Sequence, residues 1–268
     1  MHRAAEALRQ GVAAAVSLAA VVCGAAASAA SCDKPVYLSF DTGHMGVAPL
    51  VADVLQRQQV KVTFFLANER TLSGGSSLDE QWAPWWKARA AEGHAFGSHT
   101  WDHWVWRADQ GAGFRVKPTA GAQTGRTLKV SAADYCAALK HPLQRFEQMT
   151  GQRALPLFRA PAGRTSPSLL KAAEACGFMH VPWSPAGFLG DELPSDKYPN
   201  TQLLANALRD IRPGDILLAH LGIWSRQDAW APAVLEPLIE GLKGRGLCFA
   251  TLREHPDYRA WIAAHPLR

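Results

Sequence analysis

Five side chains, far apart along the chain, have types and settings that suit hydrolytic chemistry. His99 and His103 form an H-x-x-x-H pair within Ser98-His99-Thr100-Trp101-Asp102-His103. If this segment turns helically, the two imidazoles share a face and can grip a single metal ion. Two surface histidines would give the same pattern, so the pair gains meaning from its setting, directly after the apolar run Ala95 to Ser98. Asp41 follows Val36 to Phe40, Arg159 ends Leu157 to Arg159, and His220 ends Ile216 to His220. Ionisable groups are costly in the middle of a buried strand. At the C-terminal ends of parallel barrel strands they share one rim, so Asp41, His99, Arg159 and His220 are expected to converge.

The elements that must hold them can be read from the same sequence. Short β-branched or aromatic runs alternate with longer stretches of helical period, as repeated strand-helix units do. Strands are expected at Val36 to Phe40, Val62 to Leu66, Ala95 to Ser98, Leu157 to Arg159, Phe178 to Trp183, Ile216 to His220 and Cys248 to Thr251, with helices between them. Ser131 with Asp134 reads as a capping box, Ser166-Pro167 as a helix start and Gly177 as a stop. The expected fold class is α/β: a distorted, TIM-barrel-like (β/α) barrel of about seven parallel strands. Two connections, Thr71 to Trp86 and Trp104 to Lys129, are long and lack helical period, so they are expected as loops at the functional end. Trp82, Trp85, Trp86, Trp101, Trp104 and Trp106 fall in or beside them. Their flat faces could stack on sugar rings or simply cover the rim.

Composition excludes several classes. With 48% hydrophobic and 19% charged residues the chain can bury a core, which rules out a disordered protein. A net charge of +5 spread without a basic stripe argues against a nucleic-acid partner. Residues 1-30 read as a signal peptide, with Arg3 and Arg9 ahead of an Ala-rich apolar stretch from Gly11 and small residues at Ala25 to Ser31. An uncleaved anchor is the alternative, disfavoured by the weak hydrophobicity of alanine. Lipidation of Cys32 is disfavoured by the lack of a large aliphatic residue before it. Residues 31-268 would then form one barrel domain, periplasmic or secreted, with no stable membrane span after signal removal. Export leaves four cysteines, Cys32, Cys136, Cys176 and Cys248, which allow three pairings in a compartment where disulfides persist. Barrel closure would bring Cys32 near Cys248 and leave Cys136 for Cys176.

Read together, these segments resemble the polysaccharide deacetylases of the NodB-homology group, also called carbohydrate esterase family four. Ser39-Phe40-Asp41-Thr42-Gly43 is similar to the family's T-F-D-D-G, and Val62-Thr63-Phe64-Phe65 to its following strand. Gly97 to His103 is similar to its metal-binding histidine region, Arg159-Ala160-Pro161-Ala162-Gly163 to R-x-P-x-G, and Pro213 to His220 to its closing L-x-H strand. The resemblance implies that His99 and His103 hold a divalent ion, zinc by expectation. It also implies that Asp41 is the general base, that Arg159 keeps Asp41 ionised and that His220 is the general acid. Ala162, Trp101 and Trp183 are the candidate oxyanion and substrate contacts.

Three departures from the family pattern matter. Thr42 stands where the family has a metal-ligating aspartate and is a weak oxygen ligand, with His44 two residues on as the alternative. Ala162 replaces an aromatic residue and widens the pocket wall. The aspartate usual near W-S is absent from Trp183-Ser184-Pro185, so His220 should be a weaker acid unless Asp191 takes that place. His94, His141, His180, His255 and His265 read as solvated or structural. Glu92 reads as a surface or supporting group, and Asp102 as one that could orient a ligand histidine.

The expected activity is metal-dependent removal of N-acetyl, or other N-acyl, groups from a carbohydrate polymer of the cell envelope or an exopolysaccharide. Hydrolysis of a different amide or ester is a second reading within the same fold. A non-catalytic carbohydrate-binding protein is a third, and the retention of Asp41, His99, His103, Arg159 and His220 argues against it, since a binder needs no acid, base and metal pair.

Overall fold

The computed structural model describes Cys32 to Leu267, so the expected signal peptide lies outside the described residues. In chain order the elements are β1 (Pro35–Asp41), α1 (Ala48–Arg57), β2 (Thr63–Leu66), α2 (Ala83–Ala91), β3 (Ala95–Ser98), β4 (Trp104–Gln110), β5 (Gly113–Pro118), β6 (Leu128–Ser131) and α3 (Ala132–Thr150). They continue with β7 (Leu157–Phe158), α4 (Pro167–Ala175), β8 (Met179–His180), α5 (Asn200–Asp210), β9 (Ile216–His220), α6 (Trp230–Ala233), α7 (Leu235–Gly244), β10 (Cys248–Phe249) and α8 (Pro256–Ala264).

Seven of the strands form one parallel sheet in the order β10-β1-β2-β3-β7-β8, with β9 also on β1. The sheet curls into an incomplete barrel. Beyond β8 the chain turns back toward β9 through a single bridge between Phe188 and Leu218 and a bond from Ser184 N–H to the Ile216 carbonyl. The strand expected to run to Trp183 pairs no further than Val181, because Pro182 has no N–H to give the ladder.

Alternation along the strands decides which side chains face the barrel interior. On β1, Val36, Leu38 and Phe40 point into the large core beneath the helices, while Tyr37 belongs to a smaller interior cluster with Phe65, Ala95, Leu157 and Ile216. Period two then carries Asp41 onto the face of Tyr37, His99 onto that of Ala95, Arg159 onto that of Leu157 and His220 onto that of Ile216. A Cβ on Gly97 would come within 2.8 Å of the Phe65 ring, so the strands close tightly beneath the site only because position 97 has no side chain.

The long connection Trp104 to Lys129 is not a loop. It is an antiparallel meander of β4, β5 and β6 with a bulge between Trp106 and Ala108. Its alternation of Val105, Phe114, Val116, Leu128 and Val130 faces the core, and Gly111 supplies the left-handed turn. The earlier connection contains a 3-10 turn at Glu80–Trp82 and the first residues of α2. Trp86 is wholly buried, and Trp82, Trp85, Trp104 and Trp106 pack against the core, so these rings serve packing rather than sugar stacking. The reciprocal cap of Ser131 and Asp134 starts α3, and the Ser166 side chain caps α4. Cys32 is joined to Cys248 and Cys136 to Cys176.

Candidate active site

The four strand-end side chains meet in one cleft at the C-terminal rim of the sheet. Asp41 is buried at its floor. Arg159, with no exposed surface, donates from Nη1 to Asp41 Oδ1 at 2.9 Å and from Nε to the Val181 carbonyl, and its guanidinium lies 4.3 Å from the Phe65 ring centre. His99 Nε2 stands 3.3 Å from the second Asp41 oxygen. Burial would raise the Asp41 pKa, but Arg159, His99 and His220 together hold it below the ordinary carboxylate value. Asp41 is thus a nearly buried carboxylate kept ionised at the floor of the cleft.

His220 faces Asp41 from the next strand. Its Nδ1 lies 3.0 Å from Asp191 Oδ1, and its backbone N–H donates to Asp191 Oδ2 at 2.7 Å. Burial alone would push the imidazole pKa down, but Asp191, with Asp41 and Glu192 beyond it, lifts it to about 9. Asp191 therefore supplies the carboxylate missing near Trp183. It comes from the loop before α5, which the open sheet edge allows to fold back over β9.

His99 and His103 do come together, with ring centres 4.8 Å apart, but not on a helix. Thr100 (φ 61°) and His103 (φ 51°) are both left-handed, an uncommon state for residues with a Cβ. The reversal is held by Trp104 N–H donating to Thr100 Oγ1 at 2.7 Å. The same turn sends Trp101 outward, where its ring stacks on His141 over α3, so Trp101 does not line the cleft. Trp183 does, above Gly163, where a Cβ would fall 2.6 Å from its ring. Ala162, left-handed at φ 56°, lines the cleft beside it.

Asp102 does not orient a histidine. Its carboxylate lies against Gly121, and His103 Nδ1 is instead 2.5 Å from Thr119 Oγ1 on the β5–β6 connection. Thr119 had no signal in the sequence beyond its place in the meander. Glu69, on the connection after β2, lines the same cleft and accepts a hydrogen bond from Thr42 Oγ1 at 2.6 Å. The rule that singled out the other strand ends, applied to β2, points to this segment too. His44 lines the neighbouring groove, its Nδ1 accepting from Gly46 N–H and its ring edge-on to Trp224. Of the remaining histidines, His94 Nδ1 accepts from Val62 N–H, His255 caps α8 and His265 stacks on Trp261. His180, half-buried beside Phe158, is pushed down to about 4 by desolvation and by Arg159.

The family model described as polysaccharide deacetylase matches residues 28–181 of the chain. The chain belongs to the polysaccharide deacetylase family. Among curated members, it is 27% identical over 243 residues to a chitooligosaccharide deacetylase of Azorhizobium caulinodans, covering 86% of this chain and 99% of that one. A solved peptidoglycan N-acetylglucosamine deacetylase superimposes with a TM-score of 0.61 at 25% identity, covering 84% of this chain and 89% of the other. An acetyl xylan esterase of Clostridium thermocellum, solved with a cobalt ion, shares the fold with a TM-score of 0.64 at 22% identity, over 85% and 92% of the two chains.

Polysaccharide deacetylases are generally metal-dependent, and the two imidazoles here have the form of ligands. His99 Nδ1 donates to the Arg159 carbonyl at 2.8 Å, and His103 Nδ1 is held by Thr119, so each ring keeps Nε2 for a metal. Burial pushes His99 down to about 4 against the pull of Asp41, which keeps it neutral as a ligand must be. Thr42 is not such a group. Its hydroxyl accepts from Ala67 N–H at 3.1 Å and gives its proton to Glu69. Among the described residues, no three of His, Cys, Asp and Glu already stand close enough to close a metal site.

Proposed function

We propose that the chain is an exported, metal-dependent hydrolase that removes N-acetyl groups from an N-acetylated glycan of the cell envelope or an exopolysaccharide, with residues 31-268 as its single catalytic domain. The observation that carries this reading is a pair of opposed, oppositely tuned groups across one cleft. Asp41 is held ionised by Arg159, and His220 is held protonated by Asp191. Separated acid and base of this kind are what amide hydrolysis requires.

A divalent ion at His99 and His103, zinc by preference for imidazole donors, would supply Lewis acidity toward the acyl oxygen and lower the pKa of a water. Asp41 takes a proton from the attacking water at the carboxylate oxygen not engaged by Arg159. Arg159, fixed on Phe65 and the Val181 carbonyl, keeps that carboxylate from turning. The backbone amide of Ala162, on the cleft wall, would donate to the developing oxyanion. His220 delivers its Nε2 proton to the departing amine, which is too basic to leave as an anion. Trp183 forms one wall, and the small Ala162 leaves room beside it for a sugar ring.

A periplasmic or secreted setting is supported by the two disulfides. No helix among the described residues is long and apolar enough to cross a membrane.

The test is metal content of the purified protein, with acetate release measured from N-acetylated chitooligosaccharides, peptidoglycan and an O-acetylated xylan. Wild type, His99→Ala and His220→Ala are compared. One equivalent of metal and acetate release from an N-acetylated glycan, lost in both variants, is the expected result. An alkoxide leaves with less help than an amine, so release from xylan that survives His220→Ala would indicate an esterase instead. No metal and no release on any substrate would leave sugar binding without catalysis.

A further inference from the structure

We infer that Glu69 is the anionic ligand of the metal site in this chain, doing from the end of β2 what an aspartate at position 42 would do from the end of β1. The inference rests on the metal-dependent reading above and assigns the ligand which that reading leaves open.

Charge is the first argument. His99 and His103 offer two neutral donors, and the Asp41 carboxylate is already engaged by Arg159 and reserved for the attacking water. A divalent ion on these alone would keep most of its charge uncompensated in a cleft whose floor is buried. Thr42 cannot relieve this, since it is neutral and its hydroxyl is committed on both sides. Glu69 is the remaining carboxylate beside the two imidazoles on the β1–β2 side of the cleft. Among the described residues it makes no ion pair with Lys or Arg, and its only side-chain partner is the Thr42 hydroxyl, 2.6 Å away. A carboxylate oxygen therefore lies one hydrogen bond from the side chain that replaces the aspartate.

The second argument is preparation of the backbone. Glu69 N–H donates to Ser77 Oγ at 3.0 Å, and the Glu69 carbonyl accepts from Ser77 N–H at 2.8 Å. Ser77 is itself fully buried and bonded through Oγ to the Ala67 carbonyl at 2.6 Å. A surface glutamate has no need of such a clamp. The clamp fixes the Cα and leaves only side-chain torsions free, as a residue that must place a charge accurately requires. Closing the site takes a turn of the Glu69 carboxylate away from Thr42 toward the two Nε2 atoms. Thr42 is then a positioning residue that holds the ligand ready when no metal is bound.

The experiment is zinc affinity of the full chain by competition with a chromophoric chelator, together with the visible absorption of the cobalt form. Wild type is compared with Glu69→Gln, Thr42→Val, His99→Ala and the double variant Thr42→Asp with Glu69→Gln, each checked for folding by circular dichroism. Glu69→Gln is expected to weaken zinc by at least about tenfold and to change the cobalt spectrum. Thr42→Val should stay within about threefold of wild type, and the double variant should recover affinity because the charge returns from β1. Wild-type affinity in Glu69→Gln, or an equal loss in Thr42→Val, overturns the assignment. In either case a loss in His99→Ala keeps the metal site itself. If His99→Ala binds as wild type does, or wild type binds no metal, it is the metal-dependent reading that fails.

Discussion

Replacing Asp191 with asparagine should convert this protein from one that works in mildly alkaline solution to one that does not. The imidazole of His220 is enclosed, so without help it would titrate below its ordinary 6.5, yet the Asp191 carboxylate lifts it to about 9. The net rise from 6.5 to about 9 corresponds to about 3 kcal/mol in favour of the imidazolium, with Asp41 and Glu192 adding to the pull of Asp191. Because the folded pKa is raised and the group acts as an acid, activity is present below that pKa and is lost as pH rises through it. Asparagine keeps the size of the side chain and one acceptor for His220 Nδ1 but removes the charge. The alkaline limb of kcat/KM should therefore move from near 9 to 6.5 or lower. At pH 8 the protonated fraction falls from about nine-tenths to about 3% or less, a loss of at least roughly 30-fold, and the loss shrinks as pH is lowered. A pH profile of acetate release on both proteins reads this directly. An alkaline limb that stays in place, with activity reduced equally at every pH, would refute the argument that Asp191 sets the proton affinity of His220.

Further outcomes follow from the contacts around the other site residues. Arg159→Met leaves the Asp41 carboxylate buried without its guanidinium, which should lower stability by about 3–5 kcal/mol in a urea melt. Since Asp41 is held low by Arg159 and acts only when ionised, the acid limb of the pH profile should also move upward in that variant. Thr119→Val removes the partner of His103 Nδ1 and should weaken zinc by about 10- to 100-fold in the chelator competition, with little change in melting temperature. Gly163→Ala places a Cβ 2.6 Å from the Trp183 ring at a residue with φ 63°. It should cost about 1–3 kcal/mol and raise KM more than it lowers kcat.

What could be read in advance was whatever depends on strand period. Asp41, His99, Arg159 and His220 end apolar runs, and the alternation that buries Tyr37, Ala95, Leu157 and Ile216 inside the barrel also fixes where those four point. The incomplete barrel was legible for the same reason. Contacts that depend on loops were harder. Asp191 was a candidate partner for His220, but its sequence position says nothing about how an open sheet edge lets a loop fold back. Helical spacing brought His99 and His103 together for the wrong reason, because i and i+4 also meet across a turn with two left-handed residues. The meander was missed because Gly, Pro and Thr between Trp104 and Lys129 obscured an alternation that Val105, Phe114 and Val116 carry plainly. Once it exists, Thr119 reaches His103. Tryptophans beside a functional rim left sugar platforms and rim packing both open, and Trp85 and Trp86 pack against Phe64 while Trp82 packs on Trp85 and the core.

The two disulfides link this chemistry to stability. Cys32–Cys248 closes a loop of 216 residues and holds the start of β1, the strand that carries Asp41, against β10, while Cys136–Cys176 closes one of 40 between α3 and the end of α4. By loop-closure entropy they contribute about 5 and about 4 kcal/mol, a sum as large as the whole net stability of many domains. A chain still reduced would lack the tether between β1 and β10 and should melt at a lower temperature than the oxidised protein. The Cys32–Cys248 bond thus does more than add stability: it fastens the strand that presents Asp41 to the last strand of the sheet.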